Sequence, residues 1–241
     1  MNLAEIAALL GLNLVLMLAA MTGLWALSRR SGALGFIDAV WPLALAALAG
    51  VTFLLTEGEP VRKGLLLWLV TLWAAPQALR RLSPSARRAA NARYGAVEAE
   101  IAAARGWNPG RLRLLLFFLP QGALAWLTAL PVQLGQVDFP PTVGWVGWTG
   151  AVLAVAGIAL EGVGSLWAAK HPYADPSSFR GMRRWLRRPD YLGDLAVWWG
   201  LFLIATETAP GQASIVGPIF LTFALAHWAK TENPRRVSDG G

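Results

Sequence analysis

Long apolar blocks separated by shorter polar intervals dominate this chain. Seven blocks of about 20 residues, the length that crosses about 30 Å of hydrocarbon at about 1.5 Å per residue, fall near 3–27, 35–55, 64–82, 114–134, 143–169, 191–208 and 215–230. They predict an all-α integral membrane protein of seven transmembrane helices in a single domain, 1–241. The interval from Ser83 to about Arg113 is polar and rich in Ala and Arg. Ser83-Pro84 reads as an N-cap followed by proline at the first helical position, so this interval is expected to hold an interfacial amphipathic helix and a turn. The first apolar block lacks a basic lead-in and runs too long for a cleaved signal, and is read as a retained span.

Composition sharpens that reading. The chain is 56% hydrophobic and only 15% charged, against about 25% in soluble domains, and holds 13 tryptophans. With no cysteine, disulfide, zinc-thiolate and thiol-nucleophile chemistry are excluded. Two histidines, His171 and His227, make a multi-histidine metal site a poor expectation. The net charge of +7 marks topology rather than nucleic acid. Of the 21 Lys and Arg, all but Arg62 and Lys63 fall in alternate intervals and the C-terminal tail, that is, on one face of a seven-span bundle. The positive-inside rule then gives an N-terminus outside and a C-terminus in the cytoplasm.

The densest basic stretch places Arg183, Arg184, Arg187 and Arg188 immediately before Pro189. Arginine suits bidentate phosphate recognition, although topology alone accounts for much of this charge. Ionisable groups inside spans are costly and are therefore functional candidates. Asp38 opens the second block, Glu161 lies deep in the fifth, Asp194 is one turn into the sixth, and His227 and Glu232 close the seventh. Asp38 also suits a helix N-cap at the interface. Glu161 also suits an interhelical partner for an arginine, and His227 an interfacial anchor. Gly157, Gly162 and Gly164 around Glu161 permit either close helix packing or the approach of a flat cofactor. Most tryptophans fit an aromatic belt, but Trp198-Trp199 inside the sixth block does not. No nucleophile elbow, dinucleotide fingerprint or phosphate-cradling glycine loop is present.

The run Arg187-x-Pro189-x-Tyr191-x-Gly193-Asp194 followed by Trp198-Trp199-Gly200 resembles the steroid 5-alpha-reductase-like membrane proteins, and among them their bacterial, DUF1295-like branch. Gly181 and Arg184 match as well. Asp194 stands for the acidic residue of that pattern, Arg188 for its histidine and Asp190 for its asparagine. The resemblance extends to Asp38-x-x-Trp41, Trp73, Phe118 with Gln121, Pro131, Glu161, Pro218 and Glu232. After Glu161 the chain departs from the pattern. It reads Val163-Gly164-Ser165 where relatives carry an aspartate and a glutamine, and its tail after Glu232 is short.

The resemblance implies an NADPH-dependent reductase of the bacterial inner membrane. It would pass hydride to the enone of a 3-oxo-delta4-steroid or similar isoprenoid lipid that enters from the bilayer. No nucleic-acid partner is implied, and the protein is expected to be a monomer. Asp38 and Glu161 are the expected catalytic acids. Arg184, Arg187, Tyr191, Asp194, Trp198, His227 and Glu232 are the expected NADPH contacts. In the steroid reductases a glutamate and a tyrosine of early spans polarise the ketone. Here only Tyr94, Tyr173 and Tyr191 exist, none of them in an early block. Two other readings stay open: a lipid- or partner-binding descendant without catalysis, and an S-adenosylmethionine-dependent membrane methyltransferase, since such enzymes share a similar Arg-His-Pro-x-Tyr-x-Gly turn.

Overall fold

A computed structural model describes residues 1–106, 108–138, 142–170 and 189–231, and among these every regular element is helical. Helix α1 (Leu3–Ser31) begins with a capping box in which Asn2 and Glu5 exchange backbone-to-side-chain bonds, and ends at Gly32 in the left-handed conformation, φ 69°. Helices α2 (Ile37–Leu55) and α3 (Pro60–Arg81) form an antiparallel hairpin across a short turn. Glu59 caps α3 by accepting from the backbone N–H groups of Val61 and Arg62, with Pro60 at the first position. Helix α4 (Pro84–Arg105) fills the interval in which an amphipathic helix is expected. Ser83 caps it by accepting from Ala86, Gly106 ends it at φ 63°, and only Ala90 and Glu98 on it are buried.

The fourth apolar block departs most from expectation. After the short α5 (Pro109–Leu112), and in place of one helix over 114–134, the chain forms a π-helical segment (Arg113–Phe118), α6 (Leu119–Thr128) and α7 (Leu130–Leu134). Pro120 has no N–H to return to the preceding turn, which disrupts the regular α-helical ladder beside the π segment, and Pro131 opens α7. After it come α8 (Trp145–Lys170), α9 (Pro189–Ala205), a single turn α10 (Ala209–Gln212) and α11 (Val216–Thr231). Among the described residues four helical stretches are long and apolar enough to cross a membrane: Leu3–Ser31, Ile37–Leu55, Trp145–Ser165 and Ala209–His227. Tyr191–Ala205 is apolar but shorter.

Helices α8 and α9 make the most intimate pair, and glycine is the reason. Gly150 lies opposite Gly200, and Gly157 opposite Gly193. A Cβ at Gly150 would sit 2.5 Å from the Gly200 carbonyl oxygen, and one at Gly157 2.7 Å from that of Gly193. The two helices therefore touch backbone to backbone. Of the two uses open to the glycines around Glu161, Gly157 serves packing, whereas a Cβ at Gly162 would meet nothing within 4 Å. The core around this pair draws on α2, α3 and α6 through Leu45, Leu66, Val70 and Ala125, which join Leu201 of α9. One polar layer crosses it: the buried Asn13 side chain donates to Thr52 Oγ1 and to Gln133 Oε1, both at 2.9 Å.

Candidate functional site

One end of the bundle gathers the C-termini of α1, α3 and α8, the N-termini of α2 and α9, and the mostly exposed α4. Two buried or half-buried polar clusters lie there. The first is assembled by α3, α8 and α9. Along α3, Leu66, Leu69, Val70, Trp73, Ala74 and Gln77 are buried at three- and four-residue spacing, so Trp73 and Gln77 share the face turned to the glycine-packed pair. The Trp73 indole Nε1 lies 2.9 Å from both Glu161 Oε1 and Asp194 Oδ1. The Gln77 amide Nε2 lies 2.6 Å from Glu161 Oε2 and 3.2 Å from Asp194 Oδ1. Arg80, one turn further, brings Nη2 to 3.7 Å from Glu161 Oε2. Two carboxyl groups from two helices thus share the same pair of neutral donors, with the Arg80 guanidinium at the rim.

Glu161 is 5% exposed, and a Cβ at Gly193 would lie 2.3 Å from its Cγ, so glycine there is what lets the side chain pass. Trp198, 1% exposed, stands edge-on to Trp73 at 5.5 Å between ring centroids. Trp199 donates Nε1 to Thr222 Oγ1 at 3.2 Å on α11. Both tryptophans of the pair are thus engaged inside the bundle rather than in a belt. Half-buried Tyr191 packs against the same core.

The second cluster joins α2, α4 and α6. Asp38 does not cap α2. The cap position is Phe36, which makes no side-chain bond, and Asp38 sits in the first turn with its carboxylate turned to α4. Arg93 Nη2 donates to Asp38 Oδ2 at 2.5 Å, and the Tyr94 hydroxyl donates to Oδ1 at 2.7 Å. Gln121 Nε2 donates to the Tyr94 oxygen at 3.1 Å. Burial, and then the neighbouring Asp38 carboxylate, push the Tyr94 phenol up to about 12. It therefore keeps its proton throughout the physiological range and remains a donor. Helix α4 is seated for this contact by Asn91, whose Oδ1 accepts from Leu34 and Gly35 N–H at 2.7 and 2.6 Å. Gly35 is so close that a Cβ there would lie 2.2 Å from the Arg87 carbonyl oxygen.

The structure thus brings Glu161, Asp194 and Trp198 into one cluster and places Asp38 in another, while His227 is exposed near the end of α11. Arg184, Arg187 and Glu232 lie outside the described residues. The sequence patterns do not single out Tyr94, Arg93 or Arg80 as site residues. The available signal for the first two is an aromatic beside an arginine in a helix otherwise built largely of Ala, Arg and Glu.

An α-helical bundle of membrane-crossing character, carrying carboxylate clusters at its arginine-rich end, is the class defined by these features. A family model described as "Protein of unknown function (DUF1295)" matches residues 24–236, and the chain belongs to that family, the one suggested by the arginine–proline–tyrosine motif. No curated protein and no solved structure matches the chain.

Proposed function

We propose that this protein is a membrane-embedded, NADPH-dependent reductase that adds hydride to the enone of a steroid-like or isoprenoid lipid. The observation that carries the reading is the Tyr94 hydroxyl donating to Asp38, with Gln121 behind it. It supplies the carboxylate–tyrosine pair that the resemblance implies, with the tyrosine drawn from the interfacial α4 rather than from an early block. A carbonyl oxygen arriving there would accept the hydrogen bond of the Tyr94 hydroxyl in place of Asp38, and one from the second amide hydrogen of Gln121, while Arg93 keeps Asp38 compensated. NADPH, when bound, supplies the hydride that ends on the β carbon. The electron pair displaced from the C=C bond passes to the carbonyl oxygen as an enolate, and a proton taken from water at the α carbon completes a saturated ketone.

The residues present suit one end of this cofactor. Glu161 and Asp194 are acceptors, and already hold amide and indole N–H groups. They would hold the N–H of a nicotinamide carboxamide in the same way, whereas they would repel phosphates. Arg184 and Arg187, which precede Pro189 in sequence, are assigned to the phosphates.

The finer topology belongs to the same proposal: seven spans, N-terminus outside, C-terminus cytoplasmic, in a bacterial inner membrane, acting as a monomer. Calorimetric titration of the detergent-purified protein with NADPH tests the reading. Binding is expected, weakened at least about tenfold by Arg187→Ala and measurably by Tyr191→Phe. Absence of binding in the wild type contradicts the proposal, and binding of S-adenosylmethionine in its place favours the methyltransferase reading. The closure of both clusters by the chain's own side chains favours a second reading, a non-catalytic lipid- or partner-binding descendant, which enone turnover would exclude.

A further inference from the structure

The arginines at the end of α1 belong to neither cluster. Arg29 and Arg30 are exposed, and no ion pair among the described residues uses either of them. Their surroundings are nonetheless ordered. The Trp25 indole donates to the Gly110 carbonyl at 2.7 Å, and the Arg29 guanidinium lies over the Trp25 ring, 5.3 Å from its centroid. Asn108 Oδ1 accepts from Gly110 N–H at 2.9 Å, which fixes the facing turn. Arg113 is held by Glu98, its Nε at 3.0 and 3.1 Å from the two carboxylate oxygens. Two shallow hollows share Arg29. One, of about 190 Å³, is lined by Arg29, Asn108, Gly110 and Arg113. The other, of about 330 Å³, is lined by Trp25, Ala26, Arg29 and Arg30.

The flank of α1 leading to these hollows is also uncovered. Leu12, Leu16, Ala19, Gly23, Ala26 and Arg30 follow one another at three- and four-residue steps, and all are exposed. An apolar stripe on a membrane-length helix, ending in two exposed guanidinium groups, matches a molecule with an anionic head and an apolar tail. We propose that this corner binds an anionic phospholipid, its phosphate in the arginine hollows and an acyl chain along the exposed stripe of α1. A free phosphate would use the hollows but not the stripe.

Native mass spectrometry of the full chain, released from detergent with added phosphatidylglycerol or phosphatidylcholine, tests this. Phosphatidylglycerol is expected to be retained in preference. The Arg29→Ala/Arg30→Ala variant is expected to weaken that retention about 25-fold, at about fivefold for each arginine near an anionic headgroup. Arg87→Ala/Arg88→Ala removes the same charge from exposed positions of α4 and is expected to leave retention unchanged. If the alanine pair is not recovered folded, Arg29→Gln/Arg30→Gln serves in its place. Equal loss in both double variants would overturn the proposal in favour of bulk charge. Equal retention of the two lipids would overturn it in favour of apolar contact alone. Displacement by millimolar inorganic phosphate would overturn it in favour of a free-anion site.

Discussion

Glu207→Ala lowers the stability of the detergent-solubilised protein by about 3–5 kcal/mol, because it leaves a fully buried guanidinium without its counter-charge. Arg62 is 0% exposed, and its Nη2 meets Glu207 Oε2 at 3.1 Å and the Thr142 carbonyl at 3.2 Å. Glu207 also accepts from Gly144 N–H at 2.9 Å and Gly147 N–H at 2.8 Å, so one carboxylate ties the start of α3, the start of α8 and the end of α9 together. The reverse change, Arg62→Met, is expected to cost less, since Glu207 keeps its two backbone donors and some exposure. Equilibrium unfolding in mixed micelles measures both, and equal losses would contradict this account of the clasp. Burial opposes ionisation of Glu207, but the Gly144 and Gly147 amides and Arg62 outweigh it and hold the carboxyl below its ordinary value of 4.5. A depressed folded value stabilises the fold fully above the unfolded one, and that contribution is lost as the pH falls through the folded value. The clasp should therefore weaken only in acid, and Glu207→Gln should remove that acid dependence.

Tyr94→Phe is expected to reduce enone turnover by about 10²–10³, the range for losing one donor at a developing oxyanion. The change removes one hydroxyl and leaves Arg93 on Asp38, so the fold and NADPH affinity should be retained. A loss of turnover with unchanged cofactor binding separates a role at the carbonyl from general damage to the site. Unchanged turnover would remove Tyr94 from the mechanism.

Helices were legible in the sequence where hydropathy and capping agreed. The apolar lengths of α1, α2, α8 and α11 follow from composition, and Ser83-Pro84 marks the start of α4. Residues 114–134 read as one span because their hydropathy is continuous, and the prolines that divide them act through the backbone hydrogen-bond ladder, which hydropathy does not sense. The site was legible in its parts. Glu161 and Asp194 stand out because ionisable groups are rare in apolar segments, but their shared donors come from α3, far away in sequence. Asp38 reads as a cap because it opens a helix. Its partner Tyr94 is 56 residues away, in a segment whose polarity marks it only as interfacial. Such pairings are tertiary, and no local pattern encodes them.

Whether this protein reduces an enone with NADPH is decided by isotope transfer. The purified protein, returned to a bilayer disc, is supplied with a steroid-like enone and NADPH carrying deuterium at the transferable C4 position. The expected product is a saturated ketone with one deuterium on the former β carbon, read by mass spectrometry and NMR. Recovery of the unreduced enone, or of a reduced product without deuterium at that carbon, would contradict the proposed reaction.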